Sequence, residues 1–202
     1  MVPASLTSRI TPHVARVEAV VIGGSAGSVR ALELLLPQLP AEFPPVLIVV
    51  HVLASSSTSL AAIYSRRAAA RVLEAASGTP IERGHVYFAP ADYHLLVEPS
   101  RRCSLSIEPP VHFSRPAIDV LFESAAEAYG PALVGVVLTG ASADGARGLR
   151  ALVDRGGRAL VQEPVTAEAP TMPEAALRLV PEAKVVPLSS MVAELCALER
   201  AS

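Results

Sequence analysis

The chain has 202 residues, 51% of them hydrophobic, 18% charged and 4% aromatic, with a formal net charge of −2. High apolar content with little charge excludes a disordered chain, which could not bury enough surface to offset its ordering entropy. The near-neutral balance argues against a nucleic-acid binder, which would carry a basic face to meet phosphates. At ~150 residues per domain, this length suits one domain.

Residues 1–16, with Pro3, Ser5, Thr7, Ser8, Thr11 and Pro12, read as a flexible lead-in, and residues 17–202 as the domain. No window reaches the ~18 uninterrupted apolar residues of a membrane span, so no membrane insertion is expected. The first apolar run follows Glu18 and ends in Gly23-Gly24, a poor signal peptide. Cys103 and Cys196 lie far apart without metal-ligand spacing and read as small buried or half-buried thiols. A chain of this size needs no disulfide scaffold, which fits a cytoplasmic protein.

Residues 17–22 form a β-branched apolar run suited to a buried parallel strand. Residues 28–39 carry Val29, Leu32, Leu35, Leu36 and Leu39 at helical spacing, stopped by Pro40. A second strand, 46–50, ends at His51, and 57–70 read as a helix. Four short strands follow at 72–75, 85–89, 95–98 and 104–107. The turn signals between them, Gly78-Thr79-Pro80, Pro90-Ala91-Asp92 and Pro99-Ser100, predict hairpins added at a sheet edge. The remainder alternates: helix 116–129, strand 133–138, helix 145–154, strand 159–162, helix 173–179, strand 184–187 and helix 190–198. The expected fold is α/β: a doubly wound, mostly parallel sheet with an antiparallel hairpin insertion. Ligands of such sheets sit beyond the carboxyl ends of the strands, which directs attention to three strand ends.

The first is Gly23-Gly24-Ser25-Ala26-Gly27, between a buried strand and a helix. Gly-x-Ser-x-Gly there is the pattern of a nucleophile elbow, whose tight turn needs small neighbours and lifts the serine oxygen above the sheet. A phosphate-gripping turn, or a structural one with Ser25 as a helix cap, remains open. The second is His51. A dinucleotide-binding fold would want an acid at that strand end to hold a ribose, and G-x-G-x-x-G is absent too. This favours a Ser/His pair, against a hydrogen-bonded histidine at the rim of the core. The third is Thr139-Gly140-Ala141-Ser142-Ala143-Asp144-Gly145. Asp144 before a helix is an ordinary cap, yet a carboxylate there can also orient an imidazole.

Other polar residues point elsewhere. His85 and His94, with Asp92 between them, match no zinc spacing and read as structural. Arg115 and Asp119 read as a surface i,i+4 pair, with a wall of the substrate cleft as the alternative. His112 reads as loop surface. Cys103, away from any strand end with a base, is rejected as a nucleophile.

Taken in order, these stretches resemble the catalytic domain of the chemotaxis protein-glutamate methylesterase. The matching segments run from Ile22-Gly23-Gly24-Ser25-Ala26-Gly27 through His51 and residues 84–94 to Arg115-Pro116-Ala117-Ile118-Asp119-Val120-Leu121-Phe122. Residues 135–145, Gln162 and Met172-Pro173 complete them. The resemblance implies a doubly wound sheet and a Ser/His/Asp hydrolase. Its implied substrates are glutamate methyl esters, and certain glutamines, of methyl-accepting receptor domains or a related methylated protein. It implies Ser25 as nucleophile, His51 as general base and Asp144 as orienting carboxylate, with the backbone N–H groups of Ala26 and Ala141 holding the oxyanion. No cofactor or metal is implied. Ala26 stands where the family usually has threonine, and Ala141 where it has methionine. The typical member also carries an N-terminal phosphoacceptor domain that these 202 residues do not contain, so either the chain is unregulated by phosphorylation or a separate regulatory protein supplies control. A non-catalytic receptor-docking or adaptor module that kept the fold is the alternative.

Overall fold

A computed structural model describes residues 15–51 and 59–201. Most of the predicted lead-in therefore lies outside the described residues, as does the start of the helix expected at 57–70.

Seven parallel strands build the main sheet: β1 (Ala19–Gly24), β2 (Val46–Val50), β3 (Arg71–Glu74), β4 (His85–Phe88), β7 (Leu133–Val137), β8 (Arg158–Gln162) and β9 (Lys184–Val186). Their order is β3-β4-β2-β1-β7-β8-β9. A separate antiparallel hairpin pairs β5 (His94–Val97) with β6 (Cys103–Ser106). Alternate residues of β1 feed two cores: Val20 and Ile22 face one layer, Ala19 and Val21 the other. Both faces being dry is why this strand is a continuous apolar run rather than an alternating one.

The first layer holds α1 (Ser28–Leu35), α2 (Leu60–Tyr64) and α6 (Met191–Arg200), through Leu32, Leu35, Tyr64, Met191 and Leu195. The second holds α3 (Ile118–Tyr129), α4 (Ala146–Asp154), α5 (Thr171–Leu179) and the hairpin, through Leu121, Phe122, Leu149, Met172 and Leu95. Among the described residues, no helix is long and apolar enough to cross a membrane.

Two expectations need correction. The strands near 72–75 and 85–89 are not a hairpin of the insertion. They are β3 and β4, parallel to each other and to β2, and only β5–β6 is antiparallel. The sheet edge is extended in the parallel sense by a connection of turns instead of a crossover helix. The helix expected up to residue 70 ends at Tyr64. That ring is fully buried and stacked on Phe88 at 5.4 Å, and its hydroxyl donates to the Val29 carbonyl at 2.8 Å. The chain is thereby pinned, and it turns toward β3.

The sheet order reverses around β1. The chain leaves β1 to build β2, β4 and β3 on one side, then returns to lay down β7, β8 and β9 on the other. The crevice at such a switch point is where open α/β sheets bind ligands, and the three singled-out strand ends, of β1, β2 and β7, all border it.

Candidate active site

The elbow after β1 is held by its neighbours on both sides. The Ser25 N–H donates to the Thr139 carbonyl at 3.0 Å, joining the elbow to the end of β7. The Ser25 carbonyl accepts from the Ser28 N–H and, at 2.6 Å, from the Ser28 hydroxyl. Gly27 takes φ of 80°, in the left-handed region, and a Cβ there would lie 2.7 Å from Glu168 Cβ. Only glycine meets both conditions without strain. Thr139 completes the clamp: its hydroxyl donates to the Ala26 carbonyl at 2.9 Å and accepts from the Ala169 N–H at 2.8 Å. Its own N–H donates to the Gln162 side chain at 2.9 Å.

His51 follows β2 directly, and its N–H donates to the Gly24 carbonyl at 3.1 Å. That bond sets the histidine backbone beside the residue preceding Ser25. Its ring is 13% exposed, and Nε2 lies 2.8 Å from Asp144 Oδ2. Asp144 is fully buried. Oδ2 also accepts from the Ile118 N–H at 2.7 Å, and Oδ1 from the N–H groups of Asp119 at 3.0 Å and Gly145 at 2.9 Å. Asp144 thus caps α3, whose own N-cap residue, Ala117, supplies no side-chain bond. Negative charge at a helix N-terminus is favourable. Burial pushes the Asp144 carboxyl up, but the bonds from His51, Ile118 and Asp119 outweigh it and hold the group below its ordinary value.

Asp144 therefore accepts a hydrogen bond from the Nε2–H of His51, which leaves the imidazole's lone pair on Nδ1. Among the described residues, neither the Ser25 hydroxyl nor the N–H groups of Ala26 and Ala141 form a hydrogen bond. An oxyanion site requires N–H donors that no internal acceptor has claimed.

Gly140 brings the third segment close. A Cβ there would lie 2.6 Å from Met172 Cε and 3.0 Å from Ser25 Cβ, and Met172 is fully buried. Gly140→Ala is expected to push the Met172 thioether aside and shift the Ser25 Cβ by a few tenths of an ångström, lowering ester turnover by up to ~10-fold. Overpacking should also cost about 1–3 kcal/mol in a denaturant titration.

The other sequence candidates lie elsewhere. Arg115 is bonded to Asp92, at 3.0 and 2.6 Å, and to the carbonyls of Ile107 and Glu108. It does not pair with Asp119, and this corrects the expected surface pair. Asp119 is buried, accepts the Gly148 N–H at 2.7 Å and lies 3.2 Å from Nε2 of His112. Burial raises its pKa above the ordinary value, and the nearby Asp144 charge raises it further. His112 is exposed, yet through this contact it is more than loop surface. His85 and His94 accept or donate at separate backbone groups: the Arg83 carbonyl for one, the Pro109 carbonyl and the Ala117 N–H for the other. Cys103 is buried outside the site, and burial pushes its thiol up to about 11.

His112, Asp119 and Asp144 bring ligand-type atoms within 4.8 Å of one another. The Asp144 oxygens already accept four N–H donors and those of Asp119 two, so the cluster is built as a hydrogen-bond network rather than as a cation cage.

Residues 20–195 match the family model of the CheB methylesterase. The chain belongs to the CheB methylesterase family. A Leptospira interrogans protein, provisionally named protein-glutamate methylesterase/protein-glutamine glutaminase, is 47% identical over 161 residues, covering 79% of this chain and 83% of that one. A Xanthomonas campestris protein-glutamate methylesterase/protein-glutamine glutaminase is 41% identical over 182 residues. That match covers 89% of this chain but 51% of the relative, so the chain spans about half the length of that longer protein. Among solved structures, the catalytic domain of the Thermotoga maritima CheB methylesterase superimposes with a TM-score of 0.85 at 30% identity. The match covers 91% of this chain and all of that one. The mostly parallel sheet with its small antiparallel hairpin is therefore the fold of this hydrolase family.

Proposed function

We propose that the chain hydrolyses glutamate methyl esters on the cytoplasmic domain of methyl-accepting chemotaxis receptors, or on a related methylated protein, in the cytoplasm. Ser25 is the nucleophile, His51 the general base and Asp144 the orienting carboxylate. The observation that carries this reading is the 2.8 Å contact between His51 Nε2 and a fully buried Asp144, beside the elbow that bears Ser25.

The chemistry follows from which nitrogen is left. With Nε2–H held by Asp144, Nδ1 takes the Ser25 proton as the hydroxyl oxygen attacks the ester carbonyl. The N–H groups of Ala26 and Ala141 receive the developing oxyanion. The imidazolium, stabilised by Asp144, protonates departing methanol and leaves an acyl-serine. Water, deprotonated by the same nitrogen, then releases the free carboxylate and restores Ser25. A glutamine side chain fits the same cycle with ammonia as the leaving group, which gives the second reaction.

The test is methanol release from a methylated receptor cytoplasmic fragment by the purified protein, together with labelling by a serine-directed fluorophosphonate. Methanol release with the label mapped to Ser25 is the expected result. A protein that binds the fragment without releasing methanol would instead be the docking or adaptor module.

A further inference from the structure

We propose that Ser114 is a positioning residue for the His51 imidazole, its hydroxyl donating to Nδ1 in the free enzyme and holding the ring in register for Ser25. The proposal rests on the role given above to His51. Its oxygen lies 3.4 Å from Nδ1, a long hydrogen bond, and the described residues offer that nitrogen no other partner. Asp144 fixes one edge of the ring, and Ser114 sits at the opposite edge.

The way Ser114 is delivered supports a role beyond loop closure. It ends a tight turn that begins at Val111, closed by reciprocal backbone bonds: Val111 N–H to the Ser114 carbonyl at 3.1 Å and Ser114 N–H to the Val111 carbonyl at 2.9 Å. The two central residues, His112 and Phe113, take φ of 50° and 60°. This left-handed pair is the geometry that usually calls for Asn-Gly, and it is costly for a histidine followed by a phenylalanine. Burial offers no return, because the Phe113 side chain is fully exposed. Strained backbone persists where its surroundings over-determine it, and such places cluster at functional sites. Here the turn is pinned within and after: His112 to Asp119 at 3.2 Å, and Arg115, which follows it, to Asp92 and two carbonyls. The pinned turn presents one hydroxyl to the base.

The hydroxyl can follow the proton. It donates while Nδ1 is a lone pair, and once Ser25 takes that lone pair its oxygen is free to rotate away. Donation to the neutral ring favours the neutral form, the form able to act as a base. The titratable groups packed around this ring are Asp144, then Asp119 and His112 behind it. Arg115, on the far flank, is committed to Asp92.

Ser114→Ala and Ser114→Thr should be compared in methanol release from the methylated receptor fragment. The alanine variant is expected to lose ~3–10-fold in kcat, the value of one hydrogen bond, with KM unchanged. Its acid limb in kcat/KM should move to higher pH, and threonine should restore both. The same displacement in a His112→Gln background assigns the limb to His51. An alanine variant with unchanged kcat and profile, or a threonine variant no better than alanine, overturns the proposal. So does a fluorophosphonate label that maps to Ser114. Loss of kcat with an unmoved limb reduces Ser114 to a structural part of its turn. Failure of the hydrolase reading is separate: it appears as an unmodified enzyme that releases no methanol.

Discussion

Ser25→Ala is expected to lower methanol release by about 10⁶-fold while the melting temperature stays within ~2 °C of the parent. The first figure follows from the unit behaviour of nucleophile and base, where loss of the nucleophile alone costs nearly as much as loss of the whole triad. The residual rate reflects binding and the oxyanion donors, which a side-chain truncation leaves in place. The second figure follows from the bonds at this residue. Its N–H and carbonyl carry the elbow, through Thr139 and Ser28, and alanine keeps both. Its hydroxyl has no partner among the described residues, so truncation leaves no buried group unsatisfied there. The Cβ that faces Gly140 is retained as well. Methanol assay and thermal melt on one preparation check both halves. Turnover near the parent rate in a folded alanine variant would remove Ser25 from the chemistry.

The elements legible in the sequence are those whose environment imposes a pattern. The runs of β1, β2 and β7 stand out because each strand is buried on both faces. Their carboxyl ends border the switch point, and Ser25, His51 and Asp144 follow those three ends in the sequence. The edge departs from the expected hairpins because its signals are weaker. β3 is exposed at both ends, and the turn residues that follow suit a hairpin as well as a parallel return.

Side-chain destinations were less visible still. Arg115 and Asp119 are four apart, but only Asp119 lies within α3, so helical spacing did not apply to the pair. Asp144 satisfies the first turn of α3 from a distant segment, whereas the sequence suggests a cap on the helix that follows it or an orienting carboxylate for an imidazole. Ser114 belongs to no pattern. Its contact depends on a turn that His112-Phe113 would not be expected to form. What local chemistry specifies could be read, and what a remote segment imposes could not.

The same remote bonding makes Asp144→Asn a severe change in two measurements. The carboxylate accepts four N–H groups, two at each oxygen. An asparagine has one carbonyl oxygen and an amide that donates. If the amide faces His51 and Ile118, the ring must turn its lone pair to Nε2 and place its proton on Nδ1, the nitrogen proposed to act as base. If the amide faces Asp119 and Gly145, donors meet donors at the start of α3. The first arrangement is the wrong-tautomer defect known to cost about 10⁴-fold in kcat in a serine hydrolase. Both leave buried donors unsatisfied, for an expected loss of about 3 kcal/mol. The pH dependence gives the stability claim a second check. Asp144 is held below its ordinary value of 3.8, so its stabilising contribution is fully present above that value and is lost as pH falls through the lowered native value. Denaturant titrations should therefore separate parent and Asp144→Asn by a constant free energy from neutral pH down to about pH 5, with the gap closing only below 3.8. A gap that closes instead near pH 6–7, the range of an ordinary histidine, would assign the stability to protonated His51 rather than to the network around this carboxylate.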